Sequence, residues 1–147
     1  MKFKLIIDKS KDEEVLMTVH EITDLAAQIE ALVTQQNRPE YLAGHLDEDI
    51  HMLHFDEIAC ITVLDGKTTA VDTDGKQYLI RMWLYEAEQA APQGFFRINK
   101  SAIANERNIT RFAATIGGGV DAVFRGGYRE YVSRRCFAEI KRRFEGK

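Results

Sequence analysis

Asp65-Gly66 and Asp74-Gly75 each interrupt a run of β-branched and aromatic residues, and this pattern limits the fold more than any other feature of the chain. Glycine accepts the positive φ of a two-residue turn at low cost, so Asp-Gly between strand-like runs marks a β-hairpin. The flanking runs, Ile58–Leu64, Thr68–Asp72 and Gln77–Met82, are therefore predicted as three successive antiparallel strands. Further strands are expected at Phe95–Ile98 and at Thr110–Ile116 and Asp121–Phe124, the last two joined across Gly117-Gly118-Gly119. Gly126-Gly127 then turns the chain into Tyr128–Val132. Leu84–Ala91 reads as a short helix closed by Pro92. The C-terminus reads as a helix with Phe137, Ile140 and Phe144 on one face and Ser133 as its N-cap.

The first 40 residues have a different texture. Phe3, Leu5 and Ile7 alternate as in a strand, and Val15–Val19 reads as a second, shorter one. Ile22, Leu25, Ala26, Ile29, Leu32 and Val33 then recur with the period of an amphipathic helix that runs through about Gln36. Asn37, Arg38 and Pro39 stop it, because proline supplies no helical N–H and constrains the residue before it. A boundary is expected at about residues 37–45. The predicted class is α+β: a small N-terminal α/β extension (1–40) followed by a mostly antiparallel β domain with short helices (41–147).

Charge divides along the chain too. Residues 97–147 hold 12 basic and 5 acidic side chains, whereas residues 1–96 hold 8 basic and 18 acidic. The chain's net −3 therefore conceals a basic block suited to a polyanion. With 45% hydrophobic residues the chain can bury a core, so disorder is not expected. No apolar run approaches the roughly 20 residues of a membrane span, and the N-terminus lacks a signal-peptide pattern. Only Cys60 and Cys136 are present, without metal-type spacing. A reduced, cytoplasmic protein is the expectation.

Two basic clusters carry the chemistry. One is Phe95-Phe96-Arg97-Ile98-Asn99-Lys100-Ser101, continuing to Asn105; the other is Tyr131-Val132-Ser133-Arg134-Arg135. In each, an apolar strand delivers a cation and a hydroxyl to a loop or helix start, which suits phosphate. The same cations can pair with guanine O6 and N7 in a major groove. Isolated surface ion pairs of about 0–1 kcal/mol would explain single arginines, but not two clusters in one basic block.

The segments LDEDIHMLHFDEIACITVLDGK, LYEAEQAAPQGFFRINKSAIAN and YVSRR, in this order, closely resemble the LytTR DNA-binding domain of bacterial transcription regulators, over about residues 41–145. The preceding 40 residues do not look like the receiver that many family members carry, so the chain is similar to a stand-alone LytTR regulator. The resemblance implies a β-rich domain that reads successive major grooves of double-stranded DNA with loops. It implies base contacts at Lys67, Lys100 and Arg135. Phosphate contacts are implied at Ser101, Ser133 and Arg134 and, more weakly, at Asn99, Arg97, Arg129 and Tyr131. Asn105 matches a family asparagine assigned to holding loop backbone. Where the family often has His before the loop cation, Asn99 stands here, which removes charge and pH sensitivity from that position. A homodimer on tandem half-sites is implied, and a membrane-protein inhibitor is a further implied partner.

Other readings are weaker. His51 and His54 sit among acidic residues, but on a strand they face opposite sides and cannot share a metal. Met52, Phe55 and Ile58 read as core or dimer-interface residues. Cys136 begins the last helix beside cations, a setting for redox chemistry, although its spacing suits an inert core-edge thiol better. Single-stranded RNA binding would want more exposed aromatics near the basic clusters. No nucleotide loop and no nucleophile–base arrangement is seen, so neither an enzyme nor a cofactor nor a small-molecule substrate is expected. A protein-interaction role for residues 1–40 is the alternative from a different class.

Overall fold

The computed structural model describes residues 2–35 and 39–145, and the chain divides into two compact units, residues 1–37 and 38–147. Among the described residues of the first unit the regular element is helix α1 (Asp24–Gln35). Thr23 caps it: its hydroxyl accepts the Ala26 N–H at 3.2 Å. The expected helix end at Gln36 and the stop at Asn37-Arg38 lie outside the described residues. The strands expected at Phe3–Ile7 and Val15–Val19 are not formed. Two short strands make at best a marginal ribbon, and alternation without further strands cannot hold them.

Among its described residues the second unit carries ten strands: β1 (Tyr41–Leu46), β2 (Asp49–His54), β3 (Ile58–Leu64), β4 (Lys67–Asp72), β5 (Gln77–Leu79), β6 (Phe95–Asn99), β7 (Ala102–Asn105), β8 (Ile109–Ala114), β9 (Val120–Phe124) and β10 (Arg129–Val132). Helix α2 (Leu84–Ala90) separates β5 from β6, and α3 (Arg134–Glu145) ends the described chain. Seven strands form one antiparallel sheet in the order β2-β1-β5-β4-β3-β7-β6, and β10-β9-β8 form a second. Asp65 (φ 51°) and Gly66 (φ 75°) make the tight turn of the β3–β4 hairpin, whose register closes with Leu64 opposite Lys67. The strand expected over Gln77–Met82 ends at Leu79. One more ladder bond follows, from Ile80 N–H to the Thr68 carbonyl at 2.9 Å, before the chain turns into α2.

β1 falls where sequence placed a boundary. Its inward row is Leu42, Gly44 and Leu46, and the glycine breaks the apolar pattern. A Cβ at Gly44 would lie 2.6 Å from Leu53 Cδ1 and 2.9 Å from Tyr78 Cβ, so neighbouring side chains already fill that position. His51 and His54 of β2 lean on different aromatic rings, Tyr78 and Tyr41 respectively. Phe55 and Ile58 are core residues, whereas Met52 is exposed on the terminal strand.

The seven-stranded sheet separates two cores. On one face Ile58, Ile61 and Ile103 pack with Tyr78, Ile80 and the α2 residues Leu84 and Ala87. On the other, Cys60, Ile98, Ala102 and Ala104 pack with Phe124, Val132 and the α3 residue Ile140. Phe137 joins this second core, stacking on Phe112 at 5.6 Å between centroids. Phe144, expected on the same helix face, is exposed instead, with the Arg143 guanidinium 5.9 Å from its ring. No helix among the described residues is long and apolar enough to cross a membrane.

Candidate nucleic-acid interface

Backbone bonds gather three cation-bearing elements at one end of the large sheet. β3 and β7 are antiparallel neighbours, with Thr62 opposite Ala102, so the β3–β4 turn and the β6–β7 loop emerge from the same end. The Ser101 carbonyl fastens that loop to β3, accepting the Val63 N–H at 2.9 Å and the Thr62 hydroxyl at 3.3 Å. The Ser133 N–H donates to the Ile98 carbonyl at 2.8 Å, which brings the start of α3 to the same loop. Lys67, Lys100, Ser101, Ser133, Arg134 and Arg135 are thereby collected at one edge. Lys67, Lys100, Arg134 and Arg135 are exposed there.

Ser133 caps α3 as its sequence position suggests, its hydroxyl accepting the Cys136 N–H at 3.2 Å. Arg134 and Arg135 therefore occupy the first turn of α3, where the helix dipole disfavours cations. Two arginines held there, with no acidic residue in that turn, form a site that an anion would relieve. Cys136 is half-buried against the second core.

Other sequence candidates are committed to the protein. Arg97 donates to Glu88 of α2 at 3.2 Å and to the Lys100 carbonyl at 2.6 Å, so it braces the loop from behind. Asn99 is buried. Its amide NH₂ donates to the Tyr131 carbonyl at 2.6 Å and to Glu130 at 3.3 Å, and its carbonyl oxygen accepts the Ser101 N–H at 2.7 Å. Arg129 lies three residues, about 10 Å, back along β10 from Val132 and pairs with Asp121 at 3.3 Å. Tyr131 keeps its ring exposed while its backbone holds Asn99. Among the described residues the ion pairs of the basic block use Arg97, Arg129 and Arg143, and none uses Lys67, Lys100, Arg134 or Arg135.

Asn105 is buried, donates to the Ile58 carbonyl at 3.0 Å and the Phe55 carbonyl at 3.4 Å, and accepts the Arg107 N–H at 3.2 Å. Sequence reasoning missed its partner Asn108, whose amide reaches the Asp56 and Ile58 carbonyls from a 3₁₀ turn. Both asparagines tie the Phe55–Glu57 turn to β3.

The family model of the LytTr DNA-binding domain matches residues 48–145. The chain belongs to this family. An uncharacterized HTH-type transcriptional regulator of Staphylococcus aureus strain bovine RF122 is 28% identical over 145 residues, 97% of each chain, and one from strain MSSA476 matches equally. The LytTr DNA-binding domain of a Bacillus cereus protein described as a methyl-accepting/DNA response regulator superposes with a TM-score of 0.63 at 19% identity, covering 74% of this chain and 99% of that one. The shared fold is thus the mostly antiparallel, α+β architecture of a LytTR domain.

Behind the loops of this LytTR domain lies a part-buried polar chain. The Tyr128 hydroxyl donates to Glu130 at 2.9 Å, and Glu130 in turn accepts from Asn99. Burial first, then the Glu130 charge, pushes the Tyr128 phenol well above its ordinary 10.0, and burial pushes the Cys60 thiol well above 9.0. Folding therefore favours the protonated forms of both. Their stabilisation is complete below the unfolded-state values and is lost as pH rises past them, at up to about 1.4 kcal/mol per pH unit for each group. Urea melts from neutral pH to about pH 11 should show stability falling from about pH 9 onward, and Tyr128→Phe should flatten part of the fall. A flat profile would refute this account.

Proposed function

We propose that this protein binds double-stranded DNA sequence-specifically as a transcription regulator. Lys67, Lys100 and Arg135 would read base edges in successive major grooves, and Ser101, Ser133 and Arg134 would hold phosphates between them. The observation that carries this reading is the stitching of the β3–β4 turn, the β6–β7 loop and the α3 N-terminus into one cationic edge by the Ser101 and Ser133 backbone bonds. Loops braced this way pay little entropy on docking. Arg or Lys at their tips matches the acceptor pair of guanine. Membership of the LytTR family and the transcriptional-regulator names of the Staphylococcus relatives support the same assignment.

Fluorescence anisotropy on the promoter of the protein's own operon, against a scrambled duplex, tests it. With about six phosphates neutralised, log K should fall against log salt with a slope near −5. The cognate preference should be about a thousandfold. Arg134→Ala, which removes a phosphate contact, should weaken both duplexes alike and reduce the slope by about 1. Equal, weak binding to both duplexes by the unaltered protein would overturn the reading.

A further inference from the structure

Residues 2–23 carry the alternation of two strands and yet form none, and most of their large apolar side chains are bare. Phe3 is 89%, Leu5 75% and Ile7 84% exposed. The turn that would join the two strands is nevertheless built. Asp8 accepts the Ser10 N–H at 3.0 Å and the Ser10 hydroxyl at 2.6 Å, and the Lys11 N–H reaches the Asp8 carbonyl at 3.4 Å. Additional strands would let this alternation pair, since two strands alone are marginal and three or more with a shared apolar face are stable.

The missing strands can come from the same sequence in a second molecule. Residues 2–8 read Lys-Phe-Lys-Leu-Ile-Ile-Asp and are self-complementary when run antiparallel about a two-fold axis at Leu5. Leu5 then faces its counterpart, Phe3 faces Ile7, Lys4 faces Ile6, and Lys2 faces Asp8 at each end. On the Phe3–Leu5–Ile7 face apolar residues meet apolar residues, on the other face the Lys4 stem lies over Ile6, and the terminal charges meet opposite charges rather than like ones. Such an isologous contact closes after two copies. The Staphylococcus relatives align over 97% of each chain, well beyond the residues 48–145 of the family model, so they share most of the extension.

We infer that residues 2–8 of two copies pair antiparallel about Leu5, joining two ribbons into a four-stranded sheet and making the protein a dimer before it meets DNA. This goes beyond the DNA reading and does not depend on it. The test is sedimentation of the full chain without DNA over rising micromolar concentration, with amide hydrogen exchange read at residues 3–7. The expected result is a doubling of mass accompanied by protection at those amides. Leu5→Asp, which sets like charges face to face on the axis, should give a monomer with the melting transition of the β-rich unit unchanged. Lys2→Asp, which sets like charges opposite each other at both ends, should weaken the dimer, and Lys2→Arg should keep it. That contrast is a register effect which misfolding would not produce. The proposal is overturned if the wild type stays monomeric, if Leu5→Asp still dimerises, or if Met52→Lys on the exposed β2 strand breaks the dimer and Leu5→Asp does not. None of these outcomes changes the anisotropy expected on a single DNA half-site.

Discussion

Arg135→Ala is expected to remove roughly 5- to 150-fold of the preference for cognate over scrambled DNA, the equivalent of about 1–3 kcal/mol for one good base contact. Lys100→Ala should cost a similar share. The reason is where these side chains stand. Lys100 is carried by a loop clamped through Arg97, Asn99 and Ser101, and Arg135 by the capped first turn of α3. Little loop ordering remains to offset the lost base contact. Neither change touches a core residue, so the thermal midpoint should hold. If the two sites are independent, the double variant should lose the product of the single losses. Anisotropy on both duplexes at matched salt measures this, and an unchanged cognate-to-scrambled ratio in both single variants would refute the base-reading roles.

Much of the fold was legible because its signals are local. The Asp-Gly turns identified the β3–β4–β5 meander, Pro92 closed α2, and Ser133 marked the start of α3 within its own turn. What escaped depends on partners distant in sequence. β1 was hidden because the inward position at Gly44 is filled by Leu53 and Tyr78, and a residue's space cannot be read from its own side chain. The reverse failure occurred at residues 3–7 and 15–19, where a strand pattern is present but the rest of a sheet is not. Hydrophobic alternation states what a segment can bury and is silent on whether a partner exists.

The same limit applies to the interface. Lys100, Arg134 and Arg135 were found as members of basic clusters, and they stand exposed where those clusters suggested. Arg97 has the same sequence credentials but is engaged within the domain, pairing with Glu88 on α2 and donating to the Lys100 carbonyl. Asn99 is taken by Tyr131 and Glu130, more than thirty residues later in the chain. A short motif can announce cations and hydroxyls. It cannot say which of them the domain needs for itself.

Asn99 offers the second large effect and separates these two possibilities. Asn99→Ala would remove the bonds to the Tyr131 carbonyl and the Ser101 N–H in a part-buried setting, each worth about 1–2 kcal/mol. Stability should therefore fall by about 2–4 kcal/mol, a large part of the 5–15 kcal/mol typical of a domain. Asn99→Asp should be worse near neutral pH, since it sets a second carboxylate beside Glu130. Burial and that neighbouring charge favour the new carboxyl's protonated form in the folded state, so stability should recover as pH is lowered. Urea melts at mildly acidic and at neutral pH check both expectations, and a wild-type melt for Asn99→Ala would end the assignment. DNA binding then decides the role at the interface. If Asn99 positions the loop, Asn99→Ala should lower selectivity along with the Lys100 contact and leave the salt slope intact, because no phosphate is lost. If Asn99 instead grips a phosphate directly, a neutral donor releases no counterion: affinity would fall on both duplexes alike, at unchanged slope and unchanged ratio. The ratio of cognate to scrambled affinity therefore distinguishes a residue that shapes the reading loop from one that merely holds the backbone it reads along.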